Sequence, residues 1–225
     1  LYESAGYAYT RTSSDNMNAE RTSSFDIGYE TYFDTLDLGF NITYFDIEIE
    51  DPLMGSNVDF IQQNFSDGKN SSKGIELATN WTDNKKLNIG FNYTYTKSYS
   101  GMDCDKPLKD AYGYKSCIDL NNGPIDSAMV RVPLHAFSSK IDYEFNKSLN
   151  GSLLLTYKGR TRDYGTTNQN SFRDQILDEY FLIDLASSYK LNNNYHLDFS
   201  FKNLFDKNYE NANLYTGTPR TMNIG

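Results

Sequence analysis

The connections in this chain come in two lengths, and the two lengths take turns. Short reversals fall at 34–36, 83–86, 146–149 and 191–194, and long polar stretches at 51–72, 100–132, 163–177 and 207–218. Between them the residues alternate with period two. Phe25, Ile27, Tyr29 and Phe33 oppose Asp26, Gly28, Glu30 and Tyr32. Leu36, Leu38, Phe40, Ile42 and Tyr44 then alternate with Asp37, Gly39, Asn41 and Thr43. Leu87, Ile89, Phe91, Tyr93 and Tyr95 repeat the pattern, as do Leu197, Phe199 and Phe201 against His196, Asp198, Ser200 and Lys202. Successive side chains on a strand point to opposite faces, so each segment carries one apolar and one polar face. Past Tyr44 the apolar set becomes Phe45, Ile47 and Ile49, which predicts a bulge near Tyr44 to Asp46.

Sorting every short turn to one edge of a sheet and every long loop to the other is the pattern of a barrel in an outer membrane. A soluble β-sandwich or lectin-like domain has no reason to sort its connections so. The segments, about 10–13 residues long, exceed an ordinary strand and suit a tilted membrane crossing. Composition agrees. Only 38% of residues are hydrophobic and no apolar run approaches the ~18 that a membrane helix needs. Yet Tyr 19 and Phe 14 are abundant, as interfacial aromatic girdles require. The expected fold is all-β, an antiparallel transmembrane β-barrel with long extracellular loops and short periplasmic turns. Leu1 and Gly225 each fall inside a strand pattern, so residues 1–225 are expected to be part of one longer barrel domain.

A net charge of −9 disfavours a nucleic-acid partner, for which a basic footprint is expected. Against that background Lys158, Arg160 and Arg162 form a basic stripe opposite Leu155 and Tyr157, with Tyr164 following. On the polar face near a barrel mouth such a stripe would be an anion funnel. The alternative is that it balances the carboxylates of Asp142, Glu144 and Asp184. Cys104 and Cys117 read as a disulfide closing a loop of about 14 residues, worth ~3 kcal/mol through chain entropy. Two sulfurs with no nearby histidine fall short of a zinc set. Lys106, Lys109, Tyr112, Tyr114 and Lys115 lie inside that loop, cations and rings suited to a planar anion. The alternative is a loop stiffened against proteases.

His135 and His196 are lone histidines, the first at a strand start and the second at a lumen or periplasmic edge. Asp46, Glu48, Glu50 and Asp51 could gather Ca²⁺ or form a solvated face, the latter reading being preferred. Asn146-Lys-Ser148 matches a glycosylation sequon by chance in an Asn-rich chain. No nucleophile triad, zinc-protease helix motif or phosphate loop is present.

Five segments resemble one family. Asn203-Leu-Phe-Asp-Lys-Asn-Tyr209 resembles the penultimate strand of TonB-dependent outer-membrane receptors. Glu20-Arg-Thr-Ser-Ser-Phe-Asp-Ile-Gly-Tyr-Glu30 is similar to another of their strands, with Asp26 where a Glu is usual. Asn70-Ser-Ser-Lys-Gly-Ile-Glu76, Pro133-Leu-His-Ala-Phe137 and Pro219-Arg220-Thr221-Met222-Asn223-Ile224-Gly225 follow in the family's order. The resemblance implies the C-terminal portion of a 22-stranded barrel with a plugged lumen, the plug and its coupling box lying outside this chain. It implies import of an iron chelate across the outer membrane of a Gram-negative bacterium, with energy from a TonB-type coupling protein. A ferric siderophore of catecholate type is favoured, with cobalamin, haem, or a passive porin or adhesin as alternatives. Lipid and lipopolysaccharide would surround the wall. No covalent cofactor and no enzymatic chemistry are expected.

Overall fold

A computed structural model describes residues 11–12, 18–58, 61–66, 69–83, 85–101, 129–164 and 174–225. Every regular element among them is a strand. They are β1 (Arg11–Thr12), β2 (Arg21–Phe33), β3 (Leu38–Glu50), β4 (Leu53–Val58), β5 (Ile61–Ser66), β6 (Lys69–Thr82), β7 (Leu87–Gly101) and β8 (His135–Asn146). There follow β9 (Leu149–Lys158), β10 (Thr161–Tyr164), β11 (Asp174–Leu177), β12 (Tyr180–Lys190), β13 (His196–Lys202), β14 (Glu210–Ala212), β15 (Tyr215–Thr216) and β16 (Thr221–Ile224). Nine of them form one sheet in the order β16-β13-β12-β9-β8-β7-β6-β3-β2. Sheet order thus follows chain order, and no connection crosses over.

The chain divides into two units. One comprises Asp26–Tyr44, Gly74–Thr96 and Val130–Gly225. Its ladders β7–β8, β8–β9, β9–β12, β12–β13 and β13–β16 are all antiparallel, and their registers place the apolar residues in common rows. Residues directly opposite share a face. Ile89, Ile141, Leu153, Leu185, Phe201 and Met222 make one such row, whereas Asn88, Asp142, Ser152, Ala186, Ser200 and Asn223 make the row behind it.

The apolar face is graded along the strands. Near the loop edge it is aromatic, with Phe137 against Tyr157 (ring centroids 5.2 Å apart) and His135 against Tyr95 (5.3 Å). Near the turn edge Tyr143 meets Phe145 edge-on at 4.9 Å. Leu and Ile fill the rows between. At ~3.4 Å per residue and the ~40° tilt such barrels take, His135 and Phe145 stand ~26 Å apart in height, close to the ~25 Å apolar band of outer-membrane barrels. This face is not an interior. Among the described residues only Leu177 and Tyr180 are buried apolar side chains, while Phe25, Ile27 and Tyr29 are about 60% exposed. A sandwich of this length would enclose its apolar rows between two sheets.

Three of the four short reversals are built alike. Asp83 Oδ1 accepts the backbone N–H groups of Lys85, Lys86 and Leu87 at 2.7–2.9 Å. Asn146 Oδ1 accepts those of Ser148 and Leu149, and Asn192 Oδ1 those of Asn194 and Tyr195. A short Asp or Asn side chain can mimic the backbone acceptor of a turn two or three residues on, which is why these residues head three of the turns.

The long connections depart from expectation. Stretches read as long polar loops at 163–177 and 207–218 hold two-stranded ribbons, β10 with β11 and β14 with β15. Pairing continues because an extended ribbon satisfies backbone groups that a loop would leave to water. The penultimate strand also stops early, at Lys202 instead of Asp206. Asn203 takes a left-handed backbone (φ 50) and is buried; its Nδ2 donates to the Lys207 and Thr218 carbonyls and its Oδ1 accepts Lys207 N–H. Its own N–H donates to Asp184 Oδ1 at 2.8 Å, and Asp206 Oδ1 accepts Arg220 N–H at 2.8 Å. The Asn203-Leu-Phe-Asp motif is therefore a clamp that closes the strand and anchors the last connection.

The other unit comprises Leu1–Phe25, Phe45–Lys73 and Lys97–Met129. Here the stretch at 51–72, also read as a long polar loop, holds β4 and β5 as a hairpin, with β1 joining β5 in parallel, and β6 already begins at Lys69. Lys69 forms an ion pair with Glu48, and Met129 N–H donates to the buried Ser98 Oγ at 3.2 Å. β3 runs through Tyr44–Asp46 as one continuous strand.

Candidate functional site

The predicted basic stripe is not a single strand face. β9 ends at Lys158, and Gly159 and Arg160 lie outside any strand before β10 begins. The cause is local. Gly159 N–H donates to the His135 carbonyl at 2.8 Å, and a Cβ at Gly159 would stand 2.9 Å from that same oxygen. Only glycine lets the chain pass so close, and the alternation that would have aligned the three cations breaks there.

The three cations accordingly differ. Lys158 is half-buried and donates to the Asn211 carbonyl at 3.3 Å. Arg160 is exposed. Arg162 is buried, with 8% of its surface open, and its carbonyl accepts Arg131 N–H at 2.7 Å. Tyr164 ends β10 opposite Asp174 in the β10–β11 ladder. Tyr112, Tyr114 and Lys115, and the pair Cys104 and Cys117, lie outside the described residues, as do Lys106 and Lys109.

What organises the site is a carboxylate that sequence reading passed over. Asp163 is fully buried; its Oδ1 accepts Arg131 Nε–H at 3.0 Å and its Oδ2 accepts Asn213 N–H at 2.7 Å. A buried charge persists only when paired and hydrogen-bonded, and these partners supply both. Arg131 comes from the β7–β8 connection, Asp163 from β10 and Asn213 from the β14–β15 turn, so one carboxylate ties three loop-edge segments together. Tyr180 reinforces the tie. Its hydroxyl donates to Asn211 Oδ1 at 3.0 Å and its ring packs 4.5 Å from that of Tyr209. The one available signal was Asp163 itself, an acid closing the cationic run Lys158–Arg162.

Two of the three carboxylates proposed to balance the stripe are engaged elsewhere. Asp142 pairs with Lys140 at 2.8 Å and accepts Ser152 Oγ–H, and Asp184 accepts Asn203 N–H. His135 sits in the aromatic row of the apolar face, its Nδ1 2.8 Å from the Tyr93 hydroxyl. His196 lies at the turn edge opposite Lys190. Among the described residues no three His, Cys, Asp or Glu side chains are grouped to hold a metal ion, and in the acidic cluster Glu48 is paired with Lys69. Chemically the loop edge offers the exposed guanidinium of Arg160 and the partly exposed Arg131, held on a rigid polar base.

A family model described as TonB dependent receptor-like, β-barrel, matches residues 1–204. Among the solved structures that share the fold are three receptors or transporters. The ferric-catecholate import receptor Fiu of E. coli K12 is 19% identical, with a TM-score of 0.67, and is matched by 92% of this chain over 27% of its own. The FrpB iron transporter of Neisseria meningitidis (F5-1 variant, apoprotein form) is 17% identical with a TM-score of 0.70, over 97% of this chain and 33% of that one. The ferripyoverdine receptor of the outer membrane of Pseudomonas aeruginosa is 17% identical with a TM-score of 0.69, over 96% and 28% respectively. This chain thus spans a third or less of each of these structures. A search of curated proteins by sequence found no match.

Proposed function

The chain belongs to the TonB-dependent receptor-like β-barrel family, and from that premise we propose that it forms wall and mouth of an outer-membrane importer of ferric siderophores in a Gram-negative bacterium. Energy would come from a TonB-type coupling protein acting on a plug outside this chain. The cargo class we favour is the ferric catecholate, which is anionic, aromatic and iron-loaded; the chelate is substrate, not a resident cofactor.

The carrying observation is the loop-edge cluster, in which Asp163 fixes three segments and leaves Arg160 exposed beside them. A guanidinium on a preorganised base offers paired N–H donors to catecholate oxygens at little ordering cost. Of the described histidines, His135 meets Gly159 beside this cluster through its backbone, while its ring lies in the aromatic row of the apolar face. His196 lies at the turn edge. Both placements weigh against haem capture by them. A passive porin would not need the coupling protein, and that distinguishes the two readings.

The experiment is uptake of iron-labelled chelates by cells carrying the full-length receptor. Ferric catecholate, ferric hydroxamate, haem and cobalamin are each supplied, with and without the coupling protein. Coupling-dependent uptake of the catecholate is expected. Arg160→Ala with Lys158→Ala should weaken its binding about tenfold or more, since a hydrogen bond to a charged group contributes roughly 1.5–3 kcal/mol. Unchanged affinity for every anionic ligand overturns the assignment of these cations. Uptake without the coupling protein overturns energised import.

A further inference from the structure

Midway along the polar face one row reads Asn92, Ser138, Thr156, Leu182, and carries no charge. The turn edge of the same face is different. There a row runs Glu144, Asn150, Ser188, Asp198, and the Glu144 N–H donates to the Lys86 carbonyl at 2.8 Å, so that Lys86 continues it on β7's side. Small side chains in the middle of this row leave a concavity of about 740 Å³. Small-molecule sites run to roughly 300–1,000 Å³, so the space is of a ligand's size.

Its rim is cationic. Lys85 and Lys86 come from the β6–β7 turn, Lys147 from the β8–β9 turn and Lys190 from the end of β12, and all four are exposed. Lys86 Nζ donates to the Phe145 carbonyl at 3.3 Å, which uses one of an ammonium's three donors. Against these the lining holds two carboxylates, Asp142 and Glu144. Asp142 is paired with Lys140 at 2.8 Å and accepts Ser152 Oγ–H. In a chain of net charge −9 this excess of lysine is local, for the β2–β3 connection carries Asp34 and Asp37 instead. The type of cation matters too. None of the chain's seven arginines stands in a short turn, whereas Arg131 and Arg160 stand at the loop edge. An arginine fork fixes the geometry of what it binds; a lysine is a hydrated point charge on a flexible stem and fixes much less.

We propose that this concavity is a second anion subsite on the lumen wall, where a ferric catecholate rests before it leaves for the periplasm. The inference rests on the reading of the cargo as an anionic chelate. On that reading the chelate is captured at the loop edge and then meets a wall whose middle row is neutral. A narrow passage with low-dielectric walls focuses the field of the turn-edge lysines on an anion that has left the guanidinium groups. Each stop on such a route must be favourable enough to enter and weak enough to leave. Mobile ammonium groups, partly offset by Asp142 and Glu144, meet that condition better than arginine forks would. The competing occupant is an acidic segment of the plug, a permanent partner, for which fixed geometry is expected and flexible lysines are the poorer choice.

The test is thiol labelling of the purified full-length receptor in detergent, with Ser188→Cys placing a reactive sulfur in the concavity and the parent receptor as blank. A negatively charged methanethiosulfonate should label it about tenfold faster than a positively charged one of similar size, as a focused field does to on-rates. The iron(III) tris-catecholate trianion should slow that labelling at saturation, and a neutral ferric trihydroxamate should not. Lys86→Gln with Lys147→Gln and Lys190→Gln should remove both the preference and the protection. Heat-modifiable gel mobility confirms that each variant is a folded barrel, and Asn150→Cys on the neighbouring strand repeats the measurement if Ser188→Cys is not. Equal rates for the two reagents, or no protection by the trianion, overturn the subsite. A sulfur that neither reagent reaches means that the plug fills the concavity, and overturns it as well. Preference and protection in a receptor that fails to import the chelate would count against transport alone.

Discussion

Single side chains set where strands stop. Asp83, Asn146 and Asn192 do the same work in three turns, but only the first can be titrated. Three backbone N–H groups donate to the Asp83 carboxylate and hold its pKa below the ordinary carboxylate range, the bonds from Leu87, Lys86 and Lys85 being the cause. A carboxyl whose folded pKa is depressed stabilises in full above its unfolded value, near 4, and loses that contribution as pH falls through the folded value. Hydrogen exchange, corrected for intrinsic rates, should therefore show the Leu87 amide losing protection in acid. The Leu149 and Tyr195 amides, bonded to the neutral Asn146 and Asn192, should keep theirs. Equal loss at all three would remove the carboxylate as the cause. These residues were legible in the sequence because turn chemistry is local. Asn203 was not: Leu204 and Phe205 continue an apolar texture, and periodicity cannot see that Asn203 and Asp206 take left-handed φ values of 50 and 53. The Asn and Asp themselves were the missed signal, since they tolerate that region better than most residues.

Between elements, the pattern of period two proved a better guide than the pattern of charge. Alternation assigned the faces of β7 and β13 correctly, because strand geometry leaves no third choice once pairing begins. The cationic run failed as a stripe because alternation holds only inside a strand, and Gly159 ends one. Burial then decided the rest. Arg162, read as a ligand contact, is enclosed, and Asp163 beside it became the knot joining three loop-edge segments. Which residues far apart in sequence meet at a loop edge is set by tertiary packing, and no local signal carries it. The knot has a measurable weight. Asp163→Ala leaves Arg131 and the Asn213 N–H without their acceptor and should cost about 2–3 kcal/mol, the lower range for breaking such a pair because Arg131 is partly solvated. Asp163→Asn should cost less, since its amide oxygen can still accept from Asn213. Denaturant unfolding of the full receptor in detergent measures both, and a neutral Asp163→Ala would show that the segments are held together by other contacts.

At the scale of the molecule the nine-stranded order has two ends, β16 and β2, and each presents a row of backbone N–H and C=O groups on one side. In water such an edge is a template for aggregation; in lipid every unpaired group costs several kcal/mol, so spanning sheets must close. The apolar face compounds the difficulty, because Phe25, Ile27, Tyr29 and Tyr195 are all more than half exposed and among the described residues no second sheet covers them. Residues 1–225 on their own should therefore satisfy neither solvent. Refolded into detergent micelles or vesicles as an isolated chain, they should give no heat-modifiable band and should sediment as oligomers joined through β2 and β16. The strands of the full receptor that pair with those two edges should restore both heat-modifiability and a single species when supplied in one polypeptide. A monodisperse, protease-resistant monomer from the isolated 225 residues would mean that this sheet can seal its own edges, and the need for further strands would fall with it.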